Sequence, residues 1–233
     1  MSQLDSSPAS QRLNKYVALS LGISRRQADA LIEQGKVTIN GTVAPLGARF
    51  SPDDDVRCSG HPVTAQQFVY LLLHKPTGYV CSRRRQGDTP TIYELLPTTY
   101  HQLKPVGRLD KDSSGLLLLT NDGDFAFRMT HPSFKKQKRY LVTLDTPLQP
   151  LHRQMISDFG VDLPDGRSQL ALTRQNDGDD TRWVVEMSEG RNRQIRRTFS
   201  ALGYTVIRLH RTDFGNYSLG DIRRGECKMV DIS

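Results

Sequence analysis

The chain has few cysteines and no pattern among them. Cys58, Cys81 and Cys227 are three thiols too far apart for a C-x-x-C pair. That argues against a disulfide framework or a zinc knuckle, and for reduced thiols in a cytoplasmic protein. The six histidines form no H-x-x-H or H-E-x-x-H pattern, so no metal is expected. Long apolar runs are missing too. Residues 69–73 and 116–119 are strand-sized, far short of the ~20 residues that cross a bilayer. Residues 1–10 are polar, lack the apolar h-region of a signal peptide and read as a disordered tail, so no membrane association is expected. Neither a P-loop nor a G-x-G-x-x-G fingerprint occurs, so no nucleotide cofactor is implied.

What the chain has instead is positive charge. Its net +7 favours an anionic partner, nucleic acid ahead of an anionic membrane surface. The excess is uneven: residues 1–10 carry −1, 11–58 carry +2, 59–150 carry +5 and 151–233 carry +1. It gathers in four knots: Arg83-Arg84-Arg85, Lys135-Lys136-Gln137-Lys138-Arg139, Arg191/Arg193/Arg196/Arg197 and Arg223-Arg224. One basic run is usually a solvated face, whereas four in one small protein point to polyanion binding.

Periodicity divides the chain. Residues 12–21 place Leu13, Val17 and Leu21 on one helical face, with Gly22 as a stop. Ser24 caps a second helix with Ala28, Leu31 and Ile32 inward, ended by Gly35. Asn40-Gly41 between β-branched residues is a hairpin turn, and a further strand ends near Cys58. Residues 59–67 are the candidate linker. Beyond it, strands are expected over 68–73, 116–120, 140–144, 183–187 and 204–209, and helices over 124–130, 150–159 and 192–202. Without regular βαβ alternation, this predicts an α+β domain with a mixed, largely antiparallel sheet flanked by helices. The expected layout is a tail over 1–10, a small α/β module over 11–58, a linker over 59–67 and a main domain over 68–233, as a monomer. In the last helix Ile195, Phe199 and Leu202 face one way and Arg193, Arg196 and Arg197 the other.

The segment Gly107-Arg108-Leu109-Asp110 joins a polar loop to the apolar run at 116–119. An aspartate at the mouth of a buried strand is held by rigid scaffold beside whatever occupies the cleft. Arg108 and Lys111 flank Asp110 and favour its ionised, nucleophilic form. By spacing alone, a turn or cap residue fits as well. So does a metal-dependent phosphoryl-transfer site on Asp110/Asp112 or Asp122/Asp124, or an RNA-binding factor without catalysis.

Taken further, the stretch Gly107-Arg108-Leu109-Asp110-Lys111-Asp112-Ser113-Ser114-Gly115-Leu116 resembles the signature of the RsuA/RluB/RluE/RluF family of RNA pseudouridine synthases. Three more stretches agree, in order. Leu73-His74-Lys75-Pro76 is similar to the first motif, with His74 where asparagine is commoner. Lys138-Arg139-Tyr140-Leu141-Val142 is similar to the K-x-Y-x-V stretch. Glu189-Gly190-Arg191-Asn192-Arg193-Gln194-Ile195-Arg196-Arg197 resembles the third motif. Residues 12–58 resemble an S4 RNA-binding module. Thr198 departs from the usual methionine, and Arg211-Thr212-Asp213-Phe214-Gly215 from R-x-x-I-G.

The resemblance implies a cofactor-free isomerase that converts a uridine in structured RNA to pseudouridine. Asp110 would be the nucleophile, Tyr140 the ring packed on the uracil, and Arg196 the partner that keeps Asp110 ionised and oriented. RNA contacts are expected from Arg25, Arg26 and Lys36 in the module and from Lys75, Arg108, Arg191, Arg193 and Arg197 in the main domain. Asn192-Arg193-Gln194 looks like the large-subunit branch, so the expected substrate is a stem-loop of 23S rRNA, ahead of 16S rRNA and tRNA.

Overall fold

A computed structural model describes residues 10–64 and 66–232. The expected tail lies outside the described residues except for Ser10, whose hydroxyl accepts from Arg49 Nε at 2.7 Å. The chain divides into two units between Phe68 and Val69.

In the first unit, helices Leu13–Ser20 and Arg25–Glu33 accompany a small antiparallel sheet in the order Thr42–Val43, Val37–Ile39, Val56–Cys58, His61–Pro62. Ser24 caps the second helix through the Gln27 N–H, and the Gln27 side chain answers at the Ser24 N–H, a reciprocal box that satisfies two orphan donors. Leu13, Val17, Ala28, Ile32, Val37 and Val56 form the core. Leu21 does not join them and is 43% exposed. The helix ends at Ser20, and Ile23 N–H folds back to the Ala18 carbonyl, which carries Leu21 off the core face.

The linker reading of 59–67 is corrected over its described residues, 59–64 and 66–67; residue 65 lies outside them. Ser59 and Gly60 take positive φ in a tight turn that returns His61–Pro62 to the sheet. Val63 is buried, with its N–H on the Val56 carbonyl at 2.9 Å. Gln66 donates to the Ser20 carbonyl at 3.0 Å. Glycine, proline and polar residues suit a hairpin turn as well as a tether, so composition alone could not separate the two.

The second unit is built on a mixed sheet whose main path runs Ala171–Arg174, Arg182–Met187, Lys138–Leu144, Val206–Phe214, Ser114–Thr120, Tyr70–Lys75, Cys227–Met229. Along this path every pairing is antiparallel except that of Val206–Phe214 with Ser114–Thr120. Alternation fills both faces: Leu71, Leu73, Leu117 and Leu119 join one apolar cluster, and Leu72, Leu116 and Leu118 the other. The Tyr70–Lys75 strand begins two residues later than expected, leaving Phe68 exposed. The expected helix over 150–159 is a single α turn and a half, Pro150–Gln154, continued by a wider π-helical turn, Met155–Phe159. At the parallel junction Gly115 faces Arg211, and a Cβ there would sit 2.1 Å from the Arg211 carbonyl oxygen. That approach, at φ +111°, requires glycine.

Candidate active site

Asp110 lies in a turn that leads directly into the strand Ser114–Thr120, the Ser113 N–H closing on the Asp110 carbonyl at 3.1 Å. The turn is clamped from beneath. Lys75 is fully buried, and its ammonium donates to the carbonyls of Asp110 (3.0 Å), Ser113 (2.8 Å) and Pro76 (3.0 Å). Burial draws its pKa down to about 8. Cys81 exchanges contacts with the Leu109 N–H and carbonyl, and the Gly78 N–H donates to the Lys111 carbonyl at 2.7 Å. The expectation that Lys75 touches RNA is therefore corrected. With no exposed surface it cannot meet a phosphate; its three donors are taken up by three backbone carbonyls.

The third motif also redistributes its roles. Arg193, not Arg196, pairs with Asp110, at 3.6 Å to Oδ2. Arg193 also makes a two-point contact with Asp112, at 3.0 and 3.1 Å. It stands at the helix start with φ 47°, ψ 31°, a left-handed conformation costly for a side chain with a Cβ. That twist turns its guanidinium toward the carboxylates while Ile195 and Phe199 stay in the core. Arg196 lies one helical turn on. It holds the carbonyls of Val206 (2.6 Å) and Asp112 (3.0 Å), and its Nε is 3.3 Å from Asp112 Oδ2 without a hydrogen bond. Asp112 is thus the shared counter-ion of Arg193 and Arg196. Desolvation pushes its pKa up, but Arg193 and Arg196 outweigh that and hold it low. Both aspartates of one metal-site alternative are bound to guanidinium groups. Asp122, from the other, caps a helix by accepting from Asp124 and Phe125 N–H.

Arg191 and Arg197 do not stand free for RNA as expected. Arg197 binds both oxygens of Asp165, at 2.9 and 2.7 Å, and Arg191 donates to Asp165 and to the Gly166 and Arg167 carbonyls. Together they tie the hairpin Val161–Leu163/Gly166–Ser168 to the helix Gln194–Ser200. Thr198 is explained in the same place: fully buried, its hydroxyl bonds Ser168 Oγ at 2.7 Å. In the Arg83–Arg85 knot, Arg83 braces the carbonyls of His101, Gln102 and Leu103, and Arg85 pairs with Glu94.

Asp110 opens onto a cavity of about 410 Å³ lined by Arg108, Tyr140, Arg193, Lys138 and Arg211 among others, within the size range of small-molecule sites. Tyr140 is 8% exposed and lies opposite Arg211 in the sheet register. Arg108 is exposed at the wall. Sequence reasoning placed Asp110, Tyr140, Arg108 and Arg193 here, but gave no role to Lys138 or Arg211. Their signals were motif positions: Lys138 opens the K-x-Y-x-V stretch, and Arg211 opens the segment that departs from R-x-x-I-G. In the first unit Arg25, Arg26 and Lys36 are all exposed.

The pattern of the RNA pseudouridylate synthase family matches residues 69–201, and that of the S4 domain matches 11–56. The chain belongs to the RNA pseudouridylate synthase family. Among its relatives are the ribosomal small subunit pseudouridine synthase A of Yersinia pestis, 38% identical over 90% of each chain, and the ribosomal large subunit pseudouridine synthase B of Bacillus subtilis, 34% identical over 94% of this chain and 91% of the relative. A crystal structure of a pseudouridylate synthase superposes with a TM-score of 0.67 at 34% identity, covering 95% of this chain and 96% of that one. The enzyme is therefore an RNA-directed isomerase with an S4 domain ahead of its catalytic domain.

Proposed function

We propose that this synthase isomerises a uridine of a ribosomal RNA stem-loop, with Asp110 as nucleophile. The observation that carries the reading is Asp110 itself, held on a clamped turn, paired with Arg193 and facing a cavity it shares with Tyr140. A uridine must leave its stack to enter such a cavity, where an aromatic side chain can pack on its face. Asp110 attacks either C1′ or C6, N1–C1′ breaks and C5–C1′ forms. The conversion has no redox change and no energy input, so the residues suffice without a cofactor. Arg193 orients Asp110, and Arg108 at the wall meets the backbone of the flipped nucleotide. Arg25, Arg26 and Lys36 of the S4 domain supply phosphate contacts. The protein acts as a monomer in the cytoplasm.

Asn192-Arg193-Gln194 supports 23S rRNA as the substrate. A second reading, 16S rRNA, draws on the small-subunit enzymes among the relatives, including one from Pasteurella multocida at 39% identity. Carbodiimide mapping by primer extension on both rRNAs, with wild-type protein and with Asp110→Asn, decides between them. We expect one new stop in 23S rRNA with wild type and none with the variant, whose fold and RNA affinity stay unchanged while turnover falls about 10³-fold or more. A stop in 16S rRNA alone moves the substrate; a stop made at wild-type rate by Asp110→Asn removes the nucleophile.

A further inference from the structure

The floor of the cavity carries more positive charge than nearby carboxylates balance. Arg211, 2% exposed, faces Tyr140 across the sheet, so both side chains point to one side. Lys138 precedes Tyr140 by two residues and shares that side. All three line the cavity with Asp110. Arg211 Nε donates to the Leu116 carbonyl at 2.8 Å, while its Nη2 meets no acceptor among the described residues. Among the described residues the Lys138 ammonium finds only the carbonyls of Glu189 (3.1 Å) and Ser188 (3.4 Å). Both cations also rest against the Phe214 ring, at 4.9 and 5.2 Å.

The neighbouring carboxylates are committed elsewhere. Glu189 serves Arg191 and Gln194, and Asp110 and Asp112 serve Arg193. Among the described residues no carboxylate comes within ion-pair distance of Lys138 or Arg211. Burial, and then the charge of Arg211, draw the Lys138 pKa down to about 8. A buried and a half-buried like charge without a counter-ion are costly for the folded state, and an aromatic face offsets only part of that. An acceptor brought by the substrate would complete the arrangement.

We propose that Arg211 and Lys138 bind the carbonyl oxygens of the target uracil and take up the negative charge that develops on its ring. The inference rests on pseudouridine formation as the reaction and not on which RNA carries the uridine. If an Asp110 oxygen bonds to C1′, the N1–C1′ pair stays with the ring and spreads over N1, O2 and O4. If it adds to C6, the C5=C6 π pair moves to C5 and O4. Either route places charge on a ring oxygen. On the C6 route N1–C1′ then breaks with its pair going to N1. On both routes C5 bonds to C1′, the Asp110 carboxylate leaves C1′ or C6 with its electron pair, C5 loses a proton and N1 gains one, so neither cation is consumed. Donors already aimed where charge develops stabilise the transition state with little reorganisation. The depth of Arg211 beside Tyr140 favours the ring over a backbone phosphate.

Calorimetric titration with 6-hydroxyuridine 5′-monophosphate, whose barbiturate ring is an anion at neutral pH, against uridine 5′-monophosphate tests this directly. Both ligands carry the same phosphate. Wild type should prefer the ring anion by about tenfold or more, the worth of one charge-assisted hydrogen bond. Arg211→Gln and Lys138→Gln should each shrink that preference, and Arg211→Lys should retain part of it. On rRNA, Lys138→Gln should lower kcat and leave KM, where a phosphate contact would raise KM. If Arg211→Gln fails to fold by circular dichroism, Lys138→Gln, which is only half-buried, decides alone. The proposal is overturned if wild type binds the two nucleotides equally, if the ring anion does not bind at millimolar concentration, or if the preference survives in every folded glutamine variant. A protein that prefers the ring anion yet modifies neither rRNA keeps this proposal and loses the substrate reading.

Discussion

The two units hold their cations in opposite circumstances. In the S4 domain, Arg25, Arg26 and Lys36 stand exposed around a helix start and the strand that follows. In the catalytic domain, all four arginines of the third motif are engaged, with Asp110, Asp112, Asp165, Glu189 or backbone carbonyls. Both places offer clustered cations, three over residues 25–36 and four over residues 191–197. The difference lies in acids that arrive from elsewhere in the chain: Asp165 comes from a hairpin, and Asp110 and Asp112 from a turn some eighty residues upstream. A basic run is a surface for RNA where the fold brings it no partner, and an internal brace where it does. Binding strength and its salt dependence should therefore belong mainly to the first unit, and chemistry to the second.

The sharpest way to break that division is Arg193→Met. Its guanidinium is the ion-pair partner of Asp110 and the two-point partner of Asp112, so its loss should let the catalytic turn relax. A misplacement of that order costs about 10²-fold in kcat, and RNA affinity should move little. Arg196→Met removes donors from the Val206 and Asp112 carbonyls. It should lower thermal stability first and kcat less than Arg193→Met does. Steady-state kinetics beside a melting curve would tell the two apart. If Arg196→Met proves the more damaging to kcat, Arg196 is the working partner of Asp110 after RNA binds.

The pairing error behind that contrast shows how far the chain can be read. The strands flanking the site were visible because apolar runs and alternation are local, and Asp110 and Tyr140 sit in recognisable motifs on them. Helix periodicity also separated Ile195 and Phe199 from the arginines correctly. It could not reveal that Arg193 leaves the helix through a left-handed backbone, which is what exchanges its role with that of Arg196. Lys75 was misread for a related reason. A lysine beside a motif looks like a phosphate ligand until three carbonyls from two segments close over it. The edge strands Ala171–Arg174 and Cys227–Met229 were not anticipated at all, being short and defined only by their partners.

A smaller effect separates the units by pH. His210 is buried at the parallel junction, with Nδ1 2.9 Å from Ser114 Oγ, and burial, followed by Arg208 and His74, lowers its pKa to about 4. The unfolded chain takes up a proton near pH 6.5, whereas the folded chain resists until about 4. Stability from this group is thus present above pH 6.5 and is lost as pH falls toward 4. Between pH 7 and 5 the catalytic domain should lose about 2 kcal/mol. Chemical denaturation at the two pH values should show a flatter profile for His210→Gln. An unchanged profile would assign the acid sensitivity to other groups; the carboxylates of Asp112 and Asp165, held below 3.8, lose their contribution only at lower pH.

The last test has the least effect on turnover and bears most directly on the comparison. Replacing Arg25, Arg26 and Lys36 by glutamine removes three exposed charges and disturbs no core, since Ala28, Ile32 and Val37 carry the packing around them. Each phosphate contact contributes about 0.7–0.9 to the slope of log K against log salt. The triple variant should therefore bind rRNA with a slope shallower by about 2–3, while kcat at saturating RNA stays near wild type. Arg191→Gln and Arg197→Gln should leave the slope unchanged and lower stability instead, because their charges are already met by Asp165. Filter binding across a salt series reads both. Were the Asp165-bound arginines to carry the slope and the S4 cations not, the ion pairs would have to open when RNA binds, and the division between an electrostatic unit and a chemical one would fail.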